Sequence, residues 1–132
     1  MNRGDARVAA VKLVYEWEMG GEGGEETRLG LLEVKPDEPE AWYMEKLVDG
    51  VKEHAQALDE VIEKHAIGWT IDRISRVDLC ILRVALCEMQ YMEQSPAVAI
   101  NEALELARAY STPEAVAFIN GVLGNIAREM KA

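Results

Sequence analysis

The sequence predicts an all-α protein built as a bundle of six to seven helices, and three observations predict it. Apolar residues make up 49% of the chain but aromatics only 6%, so the core must be built from Ala, Val, Leu, Ile and Met, a composition that suits packed helices better than sheets. Apolar residues recur at spacings of three and four in successive stretches, with no alternating run that would argue for a strand. Helix-start signals precede those stretches, most clearly at Ser95-Pro96 and Thr112-Pro113, where a capping hydroxyl stands before a proline that loses no needed N–H donor. At 132 residues the chain reads as one domain, 1–132, able to bury a core without metal or disulfide help.

In chain order, residues 5 to 19 form a first amphipathic helix, with Asp5 as its cap and Ala10, Val11, Val14, Tyr15 and Trp17 on or near one stripe. The Gly-Gly-Glu-Gly-Gly run at 20–24 ends it; this loop lacks the following Lys-Ser/Thr and the preceding strand of a phosphate cradle, so it reads as a connector. A short helix is expected over 27–33 and a turn from Pro36 to Pro39. A longer helix follows from about Glu40 to His54, carrying Trp42, Tyr43, Leu47, Val48 and Val51. Gly50 inside it costs about 1 kcal/mol relative to alanine, which points to close helix packing.

The next helix, near 56–66, aligns Leu58, Val61, Ile62 and His65, and Gly68 closes it. Residues 70–74 make a helical turn. Ser75 then caps a helix with Asp78 three residues on, a capping-box arrangement in which Asp replaces the usual Glu or Gln. Val77, Cys80, Ile81, Val84, Ala85, Leu86, Cys87 and Met89 surround most of that helix with apolar groups, which makes it the central one. The final hairpin presents Val98, Ala99, Ala103, Leu106, Ala107 and Tyr110 after Pro96, and Val116, Ile119, Val122, Leu123 and Ile126 after Pro113.

Cys80 and Cys87 share a face but stand about 10 Å apart along the axis, too far to bridge, and read as buried thiols. No CxxC, HExxH, P-loop or nucleophile motif is present, so neither a metal nor any other cofactor is expected, and nothing supports an enzyme. No apolar run approaches a membrane span, and Asp5, Lys12 and Glu16 break any signal-peptide core, so a cytoplasmic location is expected. The formal charge of −10 argues against a phosphate-rich partner, but it is unevenly spread: residues 16–64 hold fifteen acids against five bases, while residues 1–15 carry Arg3, Arg7 and Lys12 against Asp5 alone.

Six blocks in register make the chain similar to the NusB family of bacterial transcription antitermination factors: AVKLVYEW at 10–17, LVDGV at 47–51, WTIDRISRVD at 69–78, ILRVALCEM at 81–89, PAVAINEALELA at 96–107 and FINGVL at 118–123. The resemblance implies two helical subdomains, about 1–68 and about 69–132. It implies binding rather than catalysis: recognition of boxA-type single-stranded RNA together with the ribosomal protein NusE, within the transcription elongation complex, during ribosomal RNA transcription.

It also implies an RNA surface of Arg3, Arg7, Glu114 and Phe118 and a partner-protein surface that includes Tyr15 and Asp78. The family's arginine-rich arm is thinned here to Arg3 and Arg7 with Gly4 and Asp5 between them, and its Glu-Asp-Ser-x-Lys-Phe run becomes Pro113 to Phe118 without the serine or the lysine. Physically, Phe118 is the candidate to stack on an unpaired base, or else a core aromatic. Arg7 extends the stripe of the first helix, either projecting past the core toward a ligand, the favoured reading, or folding back onto a neighbouring helix. The alternative function is a NusB-fold adaptor or homodimer with weak or lost RNA binding.

Overall fold

The computed structural model describes residues 2–20 and 40–131. These form α1 (Arg3–Glu18), α2 (Ala41–His65), a 3-10 turn (Ile71–Arg73), α3 (Arg76–Tyr91), α4 (Pro96–Tyr110) and α5 (Pro113–Lys131). The expected helix over 27–33, the turn from Pro36 to Pro39 and all of the glycine run after Gly20 lie outside the described residues. Within those described, the all-α expectation holds with five α-helices.

Four local expectations are corrected. α1 starts at Arg3 because Asn2, not Asp5, is its cap: the Asn2 side chain accepts from the Asp5 amide at 2.8 Å, and the Asp5 carboxylate accepts from the Asn2 amide at 3.2 Å, a closed capping box. The two helices expected over 40–54 and 56–66 are one helix, α2, kinked at His54 (φ −108°, ψ 16°). Leu47, Val48 and Val51 before the kink and Leu58 and Ile62 after it are all buried, so a continuous apolar face carries the chain across the break. At Ser75 the box is half made: its hydroxyl accepts from the Asp78 amide at 3.2 Å, but the Asp78 carboxylate is taken by Ser111. Ser95 stands at the N-cap of α4 without a side-chain cap bond, leaving Pro96 as the start signal, whereas Thr112 Oγ1 accepts from the Ala115 amide at 3.1 Å as expected.

α3 is the axis of the bundle. It is buried without interruption from Asp78 to Met89 and packs against α1, α2, α4 and α5, which places Leu79, Leu82 and Leu86 among Leu13, Leu47, Ile119 and Leu123. Each such side chain contributes roughly 1.5–3 kcal/mol on leaving water. α4 buries mainly small residues, Ala99, Ala103 and Ala107 beside Leu106, while Val98 and Tyr110, expected on that stripe, are exposed. Gly50 lets α2 approach α3 closely: a Cβ there would sit 2.8 Å from Cys87 Sγ. Cys80 and Cys87 are buried free thiols, and burial pushes both up to about 12. Among the described residues no helix is long and apolar enough to cross a membrane.

Candidate nucleic-acid interface

Two charge clusters tie α3 to its neighbours and decide which basic groups remain available. Toward its start, Arg83 grips Asp59 of α2 with two 2.8 Å bonds and Glu18 of α1 with a third, while Arg76 reaches the other Glu18 oxygen at 2.9 Å. Burial opposes the Glu18 charge, but the bonds from Arg83 and Arg76 outweigh it and hold the carboxyl below its ordinary range. Toward the end of α3, Glu88 is 1% exposed and accepts from Arg7 Nε at 2.8 and 3.0 Å and from the Tyr43 hydroxyl at 2.6 Å. Burial and the bond to Glu88 push Tyr43 up to about 12, so the phenol remains a donor.

Arg7 is therefore not a projecting arm residue. It is 4% exposed and folds back onto α3, with Glu102 of α4 3.9 Å away; the favoured ligand-facing reading is corrected, because a buried carboxylate at Glu88 claims the guanidinium. Burial works against its charge and Glu88 more than offsets that, holding the group charged. Arg3 stays at the surface. Its guanidinium lies 4.0 Å over the Tyr43 ring and its Nε donates to Glu40 at 3.2 Å.

At the other end of α3 a cleft of about 310 Å³ opens between the 3-10 turn and the first turn of α5. Phe118 is half-buried there, its ring meeting Trp69 edge-on at 5.9 Å and 63°, and Trp69 is 49% exposed. Arg73 and Glu114, both exposed, stand at the mouth. Glu114 suits the helix N-terminus electrostatically, and toward a nucleic acid its carboxylate only accepts, from base N–H groups or a ribose 2′-hydroxyl.

Asp78 lines the same cleft, 8% exposed, with its carboxylate accepting from Ser111 Oγ at 2.6 Å, so it ties α3 to the α4–α5 turn. Tyr15 is exposed in a separate groove of about 180 Å³ with Val8, Val11, Lys12, Val77 and Tyr110. Thus Glu114, Phe118 and Asp78 come together, Arg3 and Arg7 meet at Tyr43, and the two groups are separated by the length of α3 between Asp78 and Glu88, roughly 15 Å at 1.5 Å per residue.

Two exposed aromatics escaped the sequence reading. Trp69 enters the sequence analysis only within a motif block and Trp42 only as one of the apolar residues that the helix carries, and they are 49% and 50% exposed. Lys46, one turn on from Trp42, marks that face of α2 as the wet one, whereas Tyr43 stands one turn from the buried Leu47.

The model of the NusB family matches residues 4–128. The chain is 38% identical over 132 residues to the transcription antitermination protein NusB of Listeria monocytogenes, covering 99% of this chain and 100% of that one. It is 39% identical over 132 residues to the protein of the same name from Bacillus subtilis, covering 99% and 98%. Its fold is similar to that of a crystallised complex of the antitermination factors NusB and NusE with double-stranded RNA, at a TM-score of 0.87 and 29% identity over 96% of each chain.

Proposed function

Since this chain belongs to the NusB family, we propose that it is a transcription antitermination factor that binds boxA-type single-stranded RNA jointly with the ribosomal protein NusE during ribosomal RNA transcription. The observation that carries this reading is the open aromatic cleft at the start of α5. Phe118 offers a ring to an unpaired base, Trp69 braces it edge-on, and Arg73 at the mouth meets phosphate. Of the two arm arginines only Arg3 reaches solvent, so the chain alone holds RNA weakly and the complex gains from NusE contacts on the same strand. The groove around Tyr15 is the proposed seat of that partner, with Asp78 bracing the α4–α5 turn behind it. The RNA–protein assembly then acts within the elongation complex.

Binding of a boxA oligonucleotide, measured with and without NusE across a salt series, tests this. A ternary complex tighter than either binary one is expected; no detectable ternary complex at low salt sinks it. The burial of Arg7 and the carboxylate of Glu114 at the cleft mouth favour one second reading, an adaptor or homodimer that has kept protein contacts and lost useful RNA binding. In that case NusE binds and RNA adds nothing.

A further inference from the structure

Trp42 and Tyr43 start α2 side by side and part company: Tyr43 enters the core and Trp42 leaves half of its surface in water. An exposed indole forgoes the burial that makes tryptophan a core residue elsewhere. Here it is flanked by cations instead, with the Arg3 guanidinium 5.7 Å and the Lys46 ammonium 5.5 Å from its ring centre. Its edge-on contact with Tyr43, at 5.7 Å and 86°, fixes the ring's attitude.

These groups stand at one end of a cleft of about 460 Å³ that runs along α2 past Gly50 to His54, where the imidazole stacks on Tyr91 at 3.8 Å and 5°. The missing side chain at Gly50 leaves the Cys87 sulfur beneath it, so this part of the cleft has an apolar floor.

We propose that this cleft is a second subsite for single-stranded RNA, in which Trp42 stacks an unpaired base and Arg3 and Lys46 hold the phosphates beside it. The proposal rests on the RNA-binding reading above and deepens it: the α1–α2 corner supplies the aromatic and the second cation that a two-arginine arm with one buried member lacks. Charge sets the direction of the strand. Asp49 and Glu53 line the cleft farther along α2 and repel phosphate, so the sugar-phosphate backbone is confined to the Arg3–Lys46 edge while the base points toward Gly50, where carboxylates can accept its N–H groups. Glu40 holds Arg3 through a partly exposed ion pair at 3.2 Å, a contact weak enough to exchange for phosphate.

The test uses the full chain with NusE and a boxA oligonucleotide, read by fluorescence anisotropy. Trp42→Ala is expected to weaken binding by about 5- to 100-fold, the range of one lost base stack, and Trp42→Phe to retain most of the affinity. Lys46→Ala should weaken binding less and reduce the salt slope by about one unit. Tryptophan quenching by the RNA should shrink in Trp42→Phe.

If Trp42→Ala and Lys46→Ala bind like the wild type while Phe118→Leu binds more weakly, the second subsite is overturned and the RNA-binding reading stands. If NusE affinity falls in Trp42→Ala without any change in the RNA contribution, the cleft belongs to the protein partner and the proposal is equally overturned. If the wild type binds no RNA under any of these conditions, both readings fall together.

Discussion

The two ends of α3 present opposite solutions to a polar site. At its end, Arg7, Glu88 and Tyr43 satisfy one another in the interior; at its start, Trp69, Phe118 and Arg73 leave an apolar cleft and a cation open to solvent. The first is a closed circuit in which every partner is internal, so these three groups hold helices together and leave any recognition at this end to Arg3, Trp42 and Lys46 in the cleft beside them. The second gives up burial and keeps its recognition groups available. A charged residue near a predicted binding face is thus no evidence of binding until its counter-charge has been located.

The sharpest way to break this contrast is Arg7→Ala. Leaving Glu88 buried and unpaired should cost about 3–5 kcal/mol of stability in chemical denaturation. Intact stability with reduced RNA affinity would instead return Arg7 to the ligand face. Phe118→Leu is the complementary change: it keeps an apolar side chain and removes the ring, so about 1–3 kcal/mol should be lost from RNA binding and little from the denaturation midpoint.

Ser111→Ala probes the strap behind the open end. Removing the donor that Asp78 accepts from should lower stability by about 1 kcal/mol, and NusE affinity should fall with it only if that turn supports the partner surface.

The smallest effect expected is acid loosening of the Glu18 bridge. Its carboxyl is held low in the folded protein, so the folded state binds fewer protons than the unfolded one. The stability it contributes is full above the ordinary glutamate range, near about 4.3, and is lost as pH falls through the lower folded value. A titration of unfolding free energy should show that slope, and Glu18→Gln should flatten it.

Much of the scaffold was legible because it depends on local pattern. The all-round apolar run from Val77 to Met89 identified the central helix, Gly50 signalled the close approach that the Cys87 contact bears out, and Thr112 with Pro113 marked the start of α5. What was not legible depends on partners far apart in sequence. The fate of Arg7 is decided by Glu88, 81 residues away, and spacing within α1 carries no trace of it. The kink at His54 falls at the boundary expected between two helices, and local spacing carries no sign of the core that spans it. Trp42 is a different case, since naming the apolar residues that a helix carries does not say which of two adjacent aromatics enters the core.

The two buried thiols turn this asymmetry into something that can be timed. Cys80 lies near the start of α3 and Cys87 near its end, and with both thiols pushed up to about 12, almost no thiolate is present while the helix stays packed. An alkylating reagent can mark either one only during an excursion that admits water. The labelling rates at the two positions therefore act as paired clocks for local opening, and Cys87, on the floor of the cleft beneath Gly50, should run ahead of Cys80, packed beside the Arg83, Glu18 and Asp59 charges.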